Sequence, residues 1–173
     1  EIKIENIPAG KNLSDMLVTG EIDALLTAQV PAPYVKRVTP VRRLFADPRA
    51  VETDHFRRTG IFPIMHVMVL RQELFQRHPW VAQSLYKALL DAKQQSIDAI
   101  FRNDAIHSAI PWAANHAEEI RHLMGQDFWP YGVEANHQTL ECFLRYAAEQ
   151  GLTDRKLRID ELFPRQSLDT FKV

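Results

Sequence analysis

The fold hinges on IFPIMHVMVL, residues 61–70, the most apolar stretch of the chain. Its β-branched Ile64, Val67 and Val69 favour extended backbone, so the run is expected to be a buried strand. On its N-terminal side, EIKIENI (1–7) alternates Ile2, Ile4 and Ile7 with polar neighbours, the period-2 pattern of a half-buried strand, and Pro8-Ala9-Gly10 closes it. Residues 13–18 follow as a short helix with Leu13, Met16 and Leu17 on one face, capped by Asn12 and stopped by Gly20. Residues 23–28 (DALLTA) form a short apolar run, as a strand covered on both faces would. Strand, helix and strand inside about 28 residues make a βαβ-like unit.

Residues 29–46 hold three prolines, which cannot sustain a helix or a central strand; an extended loop ending in a short strand at 41–45 is expected. Asp47 then caps a helix, Pro48 opens it, and it runs to Arg58 before Gly60. Beyond residue 70 the period changes. Val81, Leu85, Ala88, Leu89, Ala92, Ala99 and Ile100 recur at three and four residues, predicting a long amphipathic helix from Pro79. Further helices are predicted over 112–124, stopped by Gly125, and over 136–150, stopped by Gly151, the latter with Leu140, Phe143, Leu144 and Ala147 inward. Between them lies the aromatic loop DFWPYG, residues 127–132, and one or two helical turns are expected from Ile159.

The 173 residues, 46% hydrophobic and 25% charged, suffice for one sizeable core, since a compact chain of 20.0 kDa buries roughly 70% of its unfolded surface. A net charge of −1 and a pI near 6.7 supply no field for a polyanion, and Arg42-Arg43 and Arg57-Arg58 are only pairs, so no nucleic-acid partner is expected. Cys142 has no partner for a disulfide. No apolar run approaches the roughly 20 residues of a membrane span, and no membrane partner is expected. The opening at Glu1, without a signal-peptide pattern, reads as an entry in mid-protein.

His66 interrupts the apolar run, where an imidazole either meets a partner or lines a polar cavity; a buried histidine satisfied by a backbone carbonyl is the structural alternative. The histidines at 55, 78, 107, 116, 122 and 137 have no metal-site spacing, so no metal is expected. Arg37, Arg42, Arg43, Arg57 and Arg58 could grip a carboxylate with two parallel hydrogen bonds, although most should be solvated. Trp129-Pro130-Tyr131-Gly132 concentrates large rings on a loop, fitting either a planar ligand or a cap on the helices. Dinucleotide, nucleoside-triphosphate and serine-hydrolase motifs are absent.

Several blocks spread over nearly the whole chain resemble one family: LSDML (13–17) with GEIDAL (20–25), Arg43-Leu44-Phe45, TGIFPIMH (59–66), HPWVA (78–82), WPYG (129–132), and Leu140-Glu141 with FLRY (143–146). They resemble the 4,5-dihydroxyphthalate decarboxylases. TGIFPIMH and WPYG are the specific blocks, whereas the first is shared more broadly with substrate-binding proteins of the type II periplasmic fold. The resemblance implies an α/β, periplasmic-binding-protein type II-like fold of which this chain is the C-terminal half. Residues 1–62 would be an α/β segment of the second lobe, 63–70 a hinge or crossover strand, and 71–173 a mainly helical segment on the first lobe.

The implied reaction is loss of CO2 from 4,5-dihydroxyphthalate to give 3,4-dihydroxybenzoate, in bacterial phthalate breakdown. Protonating the ring carbon needs a positioned acid, cationic clamps and an apolar wall. His66 is the expected acid or donor. Arg37 or Arg43 is the expected clamp, Trp129 or Tyr131 part of the wall, and Thr59 and Gly60 join the implied site. The partner would be a small aromatic carboxylate, with no cofactor, in the cytoplasm; homo-oligomerisation is left open. The competing class is a non-catalytic solute-binding protein of a transporter, periplasmic, using the same cleft and arginines without turnover.

Overall fold

The computed structural model describes residues 4–38, 41–102 and 109–164. Among them the regular structure is helical throughout, and no strand forms. This overturns the α/β, periplasmic-binding-protein type II-like expectation. By its contacts the chain divides into two compact units, Glu1–Thr53 and Asp54–Val173.

In the first unit, α1 (Leu13–Thr19) forms where the local signals put it. The Asn12 side chain accepts from the Asp15 amide, and Gly20 ends the helix at φ +75°. α2 (Ala32–Val35) is a single turn inside the proline-rich stretch predicted as extended. Pro33 sits at its second position, where the missing N–H costs nothing, so prolines that would break a long helix permit this short one. The expected strands at 23–28 and 41–45 are irregular, with Leu26 and Leu44 almost wholly exposed, as are residues 4–7 of the expected first strand; residues 1–3 lie outside the described ones.

α3 (Pro48–Thr59) follows its predicted cap: the Asp47 carboxylate accepts from the Ala50 amide at 3.0 Å, and Gly60 stops the helix at φ +64°. Residues 61–70 make no ladder and stay irregular. A strand's N–H and C=O groups need a second strand, and no described segment pairs with this one, so the run joins no sheet.

The second unit continues with α4 (Gln72–Arg77), unpredicted, and α5 (Trp80–Phe101), whose 22 residues span about 33 Å. α6 (Ala113–Met124) packs on α5 and buries Ala117; the Arg121 guanidinium stacks 3.6 Å above the Phe101 ring. A 3-10 turn (Glu134–Asn136) leads into α7 (His137–Glu149), and α8 (Ile159–Leu162) follows. Leu140 and Leu144 of α7 meet Ile159 of α8 in the principal core, with Val133, Leu157 and Phe163 packed against it. Phe143, expected inward, faces solvent at the edge of this stripe. No helix among the described residues is long and apolar enough to cross a membrane.

Candidate functional site

A cavity of about 760 Å³ opens in the second unit, within the size range of small-molecule sites. Three segments supply most of its wall. One is the irregular run 62–68, the second is the Tyr86–Leu89 face of α5, and the third is the loop 127–133 that enters α7. Irregular backbone is thus placed against a helix face, and the exposed apolar side chains of 62–68 gain a purpose as lining.

His66, Gly60, Trp129 and Tyr131 all line this cavity. His66 is exposed rather than locked in a strand, which removes the reading of a buried histidine capped by a backbone carbonyl. Its ring makes no hydrogen bond to any described residue, so both nitrogens are open to a ligand. Phe62 meets Trp129 edge-on, ring centres 5.8 Å apart, joining the irregular run to the aromatic loop.

Thr59 is not in the lining. Its hydroxyl donates to the His55 carbonyl and accepts from the Ile61 amide, while its carbonyl accepts from Gln138 Nε2 at 2.8 Å, tying the end of α3 to the start of α7. Arg37 and Arg43 belong to the first unit. Arg37 ends the α2 turn at φ +55°, and the Arg43 guanidinium lies 5.4 Å from the centre of the Tyr34 ring.

The loop itself is held by groups that sequence reasoning missed. Four consecutive backbone carbonyls, which have no helix or sheet to join, each accept from a side chain. Lys93 Nζ donates to Trp129 O (3.3 Å), Asn136 Nδ2 to Pro130 O (2.9 Å) and Gly132 O (2.8 Å), and the Tyr86 hydroxyl to Tyr131 O (3.3 Å). Lys93 also pairs with both Asp127 carboxylate oxygens at 2.8 and 3.0 Å and lies 5.2 Å from the Tyr131 ring centre. Burial, and behind it the Asp127 carboxylate, holds the Tyr86 phenol above its ordinary pKa, so it stays a neutral donor. Gly132 is required twice over. It sits at φ +93°, and a Cβ there would lie 2.6 Å from the Tyr86 hydroxyl.

One signal could have found these residues. Tyr86, Leu89 and Lys93 recur at three and four positions, so one face of α5 carries all three toward the loop.

The lining is mostly aromatic and apolar, with His66 and the paired Asp127 as its charged or titratable side chains apart from the half-buried Tyr86 and Tyr131. No arginine or lysine among the described residues lines it. Among the described residues no group of three His, Cys, Asp or Glu side chains could hold a metal ion. Chemically, the arrangement suits a flat, mostly apolar ring with one polar edge toward the imidazole.

No family model matches the chain. The chain is similar to a curated protein of Comamonas testosteroni named 4,5-dihydroxyphthalate decarboxylase, 33% identical over 172 residues. The match takes in 99% of this chain and 52% of the relative, so the chain spans about half the length of the curated relative it matches. This similarity supports the family resemblance read from the TGIFPIMH and WPYG blocks, both of which contribute to the cavity.

Proposed function

We propose that the chain contributes the ring-binding wall and the proton donor of an aromatic-acid decarboxylase that converts 4,5-dihydroxyphthalate to 3,4-dihydroxybenzoate without a cofactor. The observation that carries this reading is one cavity lined by both specific blocks, His66 from TGIFPIMH and Trp129 and Tyr131 from WPYG. The name of the 33% identical relative supports the same chemistry.

In the proposed reaction the protonated His66 ring gives its proton to the ring carbon bearing the departing carboxylate. The hydroxyl para to that carbon feeds electron density into the ring, which makes the carbon basic enough to accept it. The bond to the carboxylate then breaks, its electron pair restores the aromatic ring, and neutral CO2 leaves into apolar surroundings that favour an uncharged product. Solvent returns a proton to the exposed imidazole. The two carboxylates of the substrate call for guanidinium partners, and Arg37 and Arg43, both in the first unit, are the candidates by that chemistry alone, with no placement against the cavity. Gly60 lets the chain turn from α3 into the wall, and Thr59 is proposed to shape that turn.

The test uses the full-length protein and its His66→Ala variant, following CO2 and 3,4-dihydroxybenzoate from 4,5-dihydroxyphthalate. Loss of a general acid is expected to lower kcat by about 100-fold or more. Unchanged turnover in the variant removes His66 from the mechanism. Tight binding of the substrate by the wild type with no CO2 released would instead make the protein a solute binder.

A further inference from the structure

We infer that Lys93 is a positioning residue that sets ligand affinity by fixing the aromatic loop and cancelling the charge of Asp127. The inference rests on the reading of the cavity as an aromatic-acid site. The Lys93 side chain is only 9% exposed and stands behind the wall rather than in it. Its ammonium is spent on two Asp127 oxygens and the Trp129 carbonyl and lies over the Tyr131 ring. An ammonium so engaged has no donor left for substrate, which separates it from a catalytic lysine or a carboxylate clamp.

What it controls follows from its neighbours. Asp127 lines the cavity, and a bare carboxylate there would repel an anionic aromatic acid; paired with Lys93, it leaves the wall near neutral. Trp129 and Tyr131 flank the carbonyls that Lys93, Tyr86 and Asn136 hold, so the rings are presented ready-made rather than ordered by the ligand. Removing Lys93 therefore does two things in the same direction: it frees the loop and exposes a like charge. Removing the Asp127 charge does the opposite electrostatically, leaving an ammonium under the wall.

The experiment measures kcat and KM for 4,5-dihydroxyphthalate in full-length wild type, Lys93→Met, Lys93→Arg and Asp127→Asn. Lys93→Met is expected to raise KM about tenfold with kcat within about threefold, and Lys93→Arg to recover most of the loss. Asp127→Asn is expected to hold or lower KM, because its remaining charge attracts the anion. A pair that only supports the fold would move KM the same way in both variants, and that result overturns the inference, as does a fall in kcat at unchanged KM. Should the wild type lack turnover, the decarboxylase reading fails, and the loop is read without any ligand. In a Trp80→Phe, Trp112→Phe background, Trp129 emission and its acrylamide quenching report loop order. Lys93→Met should then shift emission to the red and raise quenching at unchanged helical circular dichroism, Lys93→Arg should not, and identical emission in Lys93→Met overturns the inference.

Discussion

Residues 61–70 and α7 sit in the same unit and are both rich in apolar side chains, yet they end in opposite environments. In α7, Leu144 is 3% exposed and Leu140 and Ala147 are buried beside it; in 61–70, Val67 is 61% exposed and Val69 79%. The second segment is the more apolar of the two. A helix closes its own backbone hydrogen bonds, so α7 needs only a side-chain partner for one stripe, and Ile159 of α8 is near in sequence. An extended segment must find another strand for its backbone before its side chains gain anything. Apolar content drives burial only when the backbone is satisfied by the same event.

The largest expected effect separates the two segments directly. Leu144→Ala should destabilise the full-length protein by about 2 to 5 kcal/mol, the cost of a cavity in a packed core. Val67→Ala should change stability by no more than about 0.5 kcal/mol, as at an exposed position. Urea unfolding of both variants measures the contrast. A loss at Val67 approaching that at Leu144 would show that the segment is covered in the folded protein and end the contrast.

A smaller effect tests how the wall facing 61–70 is built. Gly132→Ala should cost about 1 to 3 kcal/mol, from a side chain forced to positive φ and from collision with the Tyr86 hydroxyl. Tyr86→Phe removes the colliding oxygen along with its bond to Tyr131 O. The double variant should then be less destabilised than the sum of the singles. Strict additivity in thermal melts would mean that the close approach carries none of the cost.

The same contrast explains what was legible in the sequence. Asn12, Gly20, Asp47, Gly60 and Gly125 mark helix ends through bonds and dihedrals a few residues away, and the ends fall within a residue or two of them. The strands read at 23–28, 41–45 and 61–70 depended on pairing, and period alone cannot say whether a partner is present. At the site, His66, Gly60, Trp129 and Tyr131 stood out by residue type and by the family resemblance, and they line one cavity. Lys93, Tyr86 and Asn136 did not, because they act on backbone carbonyls of the loop, which have no letter in the sequence. Arg37 and Arg43 stand out by guanidinium chemistry, Arg43 also by a block of the resemblance, and both lie in the first unit.

The smallest effect is acid sensitivity, and it too falls on one side of the comparison. Residues 61–70 contain no carboxylate, whereas the α7–α8 region is tied by several. Glu161 accepts two bonds from the Arg155 guanidinium, at 2.6 and 3.0 Å, and one from the Arg158 amide at 2.7 Å. These bonds hold its carboxyl at about 2, below the ordinary 4.5. Lys156, bonded at 2.6 Å, likewise lowers Glu141 on α7. A carboxyl whose folded pKa is depressed gives stability that is fully present above its unfolded value and is lost as pH falls toward the folded one. The contribution should therefore be intact above about pH 5 and fade between 4.5 and 2. Both groups are solvent-exposed, so the change belongs to the local seam rather than to the global fold. Hydrogen exchange of the Phe163 amide, which donates to Ile159 O at the end of α8, should accelerate over that window beyond the intrinsic pH trend. Glu161→Gln should show the faster exchange already at pH 6 and lose most of the acid dependence. An α8 whose protection is flat from pH 5 to 2 in the wild type would mean that Ile159 and its apolar neighbours hold the helix without the ionic ties.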